Sequence, residues 1–186
     1  MQGVRTSNTE KQMNEETDAT DTTAASNRKL HELIRDMRFA MFTTRDAQGD
    51  LQSRPMTTQG KLNYLDDVLY FFASRGGEPV ADLQRDPSVN VAYADPGKDS
   101  YVSVTGQAEV VDDPVRKREL WSKFAQAWFP GGPEDPDLAL VRVRMTQADY
   151  WDVKESKPVQ LFKMAKAAVT GTRPTGMGER GSVKLG

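Results

Sequence analysis

A chain of 186 residues, 37% hydrophobic and 28% charged, with a formal net charge of −2, has room for one ordinary domain with loose ends. The absence of cysteine excludes disulfides, thiolate zinc sites, iron–sulfur clusters and cysteine nucleophiles together. A single histidine excludes a multi-histidine metal site within one chain, and 25 basic against 27 acidic residues give no global reason to bind nucleic acid.

Residues 1–26 are rich in Thr, Asn, Glu and Asp and have almost nothing to bury, so a disordered polar leader is expected. They contain no apolar signal-peptide core, and no run of about 18 apolar residues follows. A cytoplasmic chain with no membrane partner is the expectation. Asn27 stands where it can cap a helix over residues 28–37, with Leu30, Leu33, Ile34 and Met37 on one face. FAMFTTR (39–45) and LQSRPMTT (51–58) read as two strands of a hairpin turning at Gly49. VLYFFAS (68–74) is apolar enough for a central strand. A short helix over 79–85 starts at a proline and is ended by Asp86-Pro87.

VNVAYAD (89–95) and YVSVTGQAEVV (101–111) alternate and make two more strands around a Pro-Gly turn. Asp113 opens a helix running through Trp128; a loop and a long strand over 138–153 follow. LFKMAKAAV (161–169) reads as a helix, and the glycine-rich residues 171–186 as an extended tail. The domain is thus expected over 27–170. Six strands with helices inserted between hairpins predict a β-rich α+β fold, a small antiparallel barrel and not a parallel βαβ sheet.

The common catalytic signatures are missing. There is no GxGxxG, no phosphate-binding GxxxxGK[ST] loop and no GxSxG elbow. His31 sits beside the polar face of the first helix and reads as an exposed or rim histidine, not a general base. Asp66-Asp67 and Asp112-Asp113 fall in turns, where aspartate is common for local hydrogen bonding. No close His/Asp/Glu set has metal-ligand spacing, so no metal is expected. If the chain is an enzyme, a cofactor carries its reaction.

Three places suit a ligand. Arg54 lies on a strand next to Pro55, and a guanidinium there either grips a phosphate or pairs with a carboxylate at a barrel rim. Ala73-Ser74-Arg75-Gly76-Gly77-Glu78-Pro79 joins a strand to a helix; it is either an anion cradle of backbone donors or an ordinary loop, and Glu78 weighs against the anion. Trp121 and Trp128, seven apart, would share one helix face and read as packing more than as a ligand box, whereas Trp151 either closes a core or covers a planar ring.

In this order the segments SRPM, LYFFAS, LQRDPSVNVAYAD, YVSVTGQAEVVDD, ELWSKFAQAWFPGGPEDPDLALVRV and YWD resemble the general stress protein branch of the pyridoxamine-phosphate-oxidase-like split-barrel flavoproteins, over about residues 27–170. The resemblance implies a six-stranded split barrel with peripheral helices and a homodimer holding flavin mononucleotide (FMN) between its subunits. It places Arg54 on the phosphate, Pro55, Met56 and Thr57 along the ring, and Ala73 and Ser74 at further flavin contacts. Tyr101 and Trp151 would line the ring, Trp151 from the neighbouring subunit. Where relatives carry a lysine before the valine of the short helix, this chain has Pro79, and Arg75 is the residue placed to substitute. The implied role is flavin-dependent redox or flavin sensing. The alternatives are a pyridoxamine-phosphate oxidase and a split-barrel scaffold that has lost tight FMN binding. The oxidase needs a histidine-containing C-terminal segment, and the tail here has none.

Overall fold

The computed structural model describes residues 25–60, 67–153, 157–171 and 178–185. Helix α1 covers residues 25–36 and is followed by strands β1 (Phe39–Arg45), β2 (Leu51–Thr57) and β3 (Val68–Ser74). Helix α2 (Glu78–Leu83), strands β4 (Ser88–Asp95) and β5 (Ser100–Val111), and helix α3 (Pro114–Leu120) come next. Strand β6 (Leu138–Asp152), helix α4 (Lys157–Thr170) and strand β7 (Glu179–Lys184) complete the chain. All strand pairs are antiparallel, in the order β2-β1-β4-β5-β6-β3, with β7 added on β6.

The two ends of that order approach each other. Thr58, just past β2, bridges to Phe71 of β3, and the Gln59 amide donates to the Tyr70 carbonyl at 2.8 Å. The Thr58 hydroxyl also meets the Tyr93 hydroxyl at 2.7 Å. Burial of Tyr93 pushes its phenol well above the usual tyrosine range, so it stays protonated as part of this closure. The six expected strands thus form the expected split barrel.

Inside it, alternation does the sorting. Ala40, Phe42 and Thr44 of β1 and Val89, Val91 and Tyr93 of β4 face the core, where Phe42 meets Phe71 edge to face at 5.1 Å. On β6 the inward set runs Val141, Val143, Met145 and then Ala148, Tyr150, a step of three. The pairing with β5 explains it: Thr105 opposes Gln147 and Gly106 opposes Met145, so Thr146 is the extra residue of a bulge. The start of β6 is buried on both faces, because a second apolar cluster of Phe72, Ala125, Phe129, Leu138 and Leu140 lies outside the barrel.

Four expectations change. Asn27 does not cap α1; the helix already runs at residue 25, and the Asn27 side-chain oxygen is buried with no hydrogen-bond partner. His31 is no rim residue: it is 5% exposed, both ring nitrogens are unpartnered, and burial lowers its pKa more than the nearby Asp67 raises it. Leu30, His31 and Ile34 form one continuous buried stripe, so the helix packs a wider arc than its apolar positions alone define. The helix opened by Asp113, whose side chain accepts from the Arg116 amide, stops at Leu120 because Trp121 is extended at ψ 136°. Finally, the tail contains β7: Val183 and Leu185 are buried, and Gly181 lies so close to the Tyr150 ring that a Cβ there would collide with it. The leader falls almost wholly outside the described residues.

Candidate functional site

A cleft of about 480 Å³ opens between the end of β2, the end of β3 and the segment after α3. Pro55, Met56 and Thr57 form one side, and Phe72, Ala73 and Ser74 another. β2 is the last strand of the sheet order, so Pro55 withholds no donor from a neighbour beyond β1, and half of the strand's backbone groups point away from β1. Phe39, Phe124, Trp128 and Phe129 supply the aromatic walls. The break after Leu120 produces this arrangement. Ala125 and Phe129 anchor the following short turn in the outer apolar cluster, which leaves Phe124 and Trp128 turned outward at 60% and 82% exposure. The Arg38 guanidinium lies 3.8 Å over the Phe124 ring centre and steadies it.

Beside this apolar cleft the charged groups are already paired. The neighbour of Pro55, Arg54, donates through Nη1 to the Thr44 hydroxyl at 2.8 Å, and Thr44 donates to Asp82 Oδ2 at 2.7 Å. Arg54 Nη2 stands 3.5 Å from Asp82 Oδ2 and 3.8 Å from Glu78 Oε2. The other Asp82 oxygen takes Arg85 at 3.3 Å. Arg54, Glu78, Asp82 and Arg85, together with Asp46 and Gln52, line a separate polar recess of about 340 Å³.

The junction after β3 is likewise engaged. Asp137 Oδ1 accepts from the Ser74 hydroxyl at 2.9 Å, the Arg75 amide at 3.1 Å and the Gly76 amide at 3.5 Å. Arg75 donates through Nε to the Pro136 carbonyl at 3.3 Å. Helix α2 has only six residues, no side-chain cap on Gly77, and Glu78 in its first turn.

Of the nine residues singled out in the sequence, Pro55, Met56, Thr57, Ala73 and Ser74 therefore converge on one cleft. Arg54 lies in the adjoining recess and Arg75 on the 136–137 turn. Tyr101 and Trp151 oppose each other across β5 and β6, are 40% and 37% exposed, and are not among the residues lining the cleft. Arg180 of β7 lies 5.5 Å from the Trp151 ring. Phe39, Phe124 and Asp137 were not anticipated here, and Trp128, weighed as packing more than as a ligand box, lines the cleft. For Trp128 a signal existed: Trp128-Phe129 is followed by Pro-Gly-Gly-Pro, and adjacent aromatics before such a break cannot both face one core.

No helix among the described residues is long and apolar enough to cross a membrane. Among those residues no group of three or more His, Asp or Glu side chains is arranged to hold a metal.

Comparison with known proteins bears on this fold. The crystal structure of a protein assigned as general stress protein 26 from Jannaschia sp. CCS1 is similar with a TM-score of 0.67 at 24% identity, covering 87% of this chain and 99% of that one. The general stress FMN/FAD binding protein of Xanthomonas citri is 30% identical with a TM-score of 0.60, covering 69% of this chain and 89% of that one. Protein bli-3 of Neurospora crassa is 29% identical over 167 residues, 83% of this chain and 79% of that protein. The family model described as pyridoxamine 5'-phosphate oxidase like matches residues 25–175. With its split barrel and these neighbours, the chain belongs to the pyridoxamine 5'-phosphate oxidase-like family, in the general stress protein branch.

Proposed function

We propose that this chain is a cytoplasmic flavin-binding stress protein that seats the flavin ring in the cleft between β2, β3 and Trp128, with FMN the form its family implies. The observation that carries this reading is the convergence of Pro55, Met56, Thr57, Ala73 and Ser74, from strands apart in sequence, on one apolar, aromatic-walled cleft. Its volume of about 480 Å³ lies within the ordinary range for small-molecule sites, about 300–1,000 Å³.

The residues suit a planar conjugated ring. Trp128 and Phe124 offer faces for stacking, Met56 a polarisable floor, and the free edge of β2 offers backbone donors and acceptors for an amide-bearing ring rim. The Xanthomonas citri relative is an FMN/FAD binding protein, which supports the ligand class. A bound flavin would supply reversible one- and two-electron transfer; the protein's part is to hold the ring, exclude water from one face and set the hydrogen bonds around it.

A homodimer accounts for Tyr101 and Trp151. Both are exposed on the outer sheet face, as are Phe39 and Met41 of β1, and a second copy would bring the Tyr101–Trp151 pair to the open side of the cleft. The oxidase alternative finds no support in the side chains: the single histidine is buried in α1. Titration of the full chain with FMN, followed by flavin fluorescence, tests the reading alongside the mass of the free and loaded protein by light scattering. Saturable quenching and a dimeric mass are expected. A flavin that stays fully fluorescent at every protein concentration overturns it.

A further inference from the structure

Two sets of polar groups flank the cleft's strand residues in the chain, Arg54 before Pro55 and Ser74–Gly76 after Ala73, and both are occupied by the chain's own carboxylates. Arg54 is bound to Asp82, whose side chain is only 6% exposed and is held by Thr44 and Arg85 as well, so that it cannot swing away. Glu78 adds a second carboxylate at 3.8 Å. In that recess Asp46, Glu78 and Asp82 face Arg54 and Arg85, three carboxylates against two guanidiniums. After β3 the Ser74 hydroxyl and the Arg75 and Gly76 amides converge on Asp137 Oδ1. Pro79, following Glu78, has neither a cation nor an amide proton to offer.

The chemistry of the two flavin tails then diverges. A phosphate near neutral pH carries about −1.5 to −2 charges and offers almost only acceptors, which carboxylates repel. Ribityl hydroxyls are neutral donors, and carboxylates are strong acceptors. Resting on the flavin reading above, we infer that this chain holds its flavin by the ring and the sugar-alcohol chain and gains nothing from the phosphate: riboflavin binds at least as tightly as FMN.

The full chain, freed of any flavin, is titrated in parallel with riboflavin and with FMN by flavin fluorescence. A riboflavin Kd equal to or below that of FMN is expected, with the FMN Kd alone rising as salt is lowered, because less screening strengthens the repulsion. Glu78→Gln and Glu78→Lys, at a helix start where the side chain is 89% exposed, should change the riboflavin Kd far less than the FMN Kd. Glu78→Lys should tighten FMN by about tenfold by adding one charged contact. FMN binding more tightly than riboflavin to the unaltered chain overturns the inference alone. Binding of neither flavin overturns the flavin reading and this inference with it.

Discussion

The aromatic cleft and the polar recess each take residues from β2, Pro55–Thr57 for the one and Gln52 and Arg54 for the other, yet they are opposite in state. In the cleft, Trp128 stands 82% exposed, and Phe124 60% exposed even with Arg38 over its ring. In the recess, Arg54 is four-fifths buried and contacts Thr44, Asp82 and Glu78. Exposed aromatic surface gains from a partner, whereas a satisfied ion pair gains little and loses what it already has. Uncovered apolar surface in this molecule therefore lies in the aromatic cleft, whereas the charged groups of the recess are already paired.

The largest test of that contrast removes Arg54. Arg54→Ala strands a buried carboxylate, and should lower unfolding stability by about 2–4 kcal/mol, somewhat below the usual cost of breaking a buried pair because Arg85 and Thr44 remain. Its riboflavin affinity should stay within about threefold. Urea unfolding and flavin titration of the same preparation separate the two effects; a large loss of riboflavin binding with little loss of stability would invert the contrast.

A buried group outside both regions gives a pH handle on the scaffold. His31 has its folded pKa depressed below 6.5 by burial, so the unfolded chain takes up a proton first as pH falls. The stability held above that pH is lost as pH drops from 6.5 toward the lower folded value. Melting curves over that window should show this decline, and His31→Leu should flatten it. An unchanged slope in the variant would place the acid sensitivity elsewhere.

The smallest expected effect is at the junction after β3. Ser74→Ala deletes one exposed hydrogen bond to Asp137, and should cost about 0.5–1 kcal/mol while the fold persists, because the Arg75 and Gly76 amides still bind that carboxylate. A far greater loss would make Ser74 an anchor of the 136–137 turn.

The sequence was most legible where burial has a simple period. β1 and β3 have the expected bounds because their apolar runs end at turn-forming residues, and the hairpin turns at Gly49 with φ +90°. It was least legible where long-range contacts decide. Nothing local says that Trp121 turns extended, and with a helix through Trp128 the sevenfold spacing made a cleft residue look like core. In β7 only the alternation Ser182-Val183-Lys184-Leu185 marked a strand among glycines, and its pairing partner lies far back in β6. For the candidate cleft, the ordered resemblance had singled out Pro55, Met56, Thr57, Ala73 and Ser74 of its lining. The partner of Arg54 was not: Asp82 comes from α2, and whether a strand arginine meets a phosphate or a carboxylate is settled by packing between elements.

On the proposed function, the cleft binds the isoalloxazine ring itself against Trp128. Lumiflavin, which carries that ring without sugar chain or phosphate, tests it most directly when titrated into the full chain and into Trp128→Ala. Trp128 is 82% exposed, so its truncation should leave the melting temperature unchanged. Saturable quenching in the unaltered chain, weakened by about tenfold or more in the variant, is the predicted result. Equal binding by both proteins, or binding by neither, would contradict it.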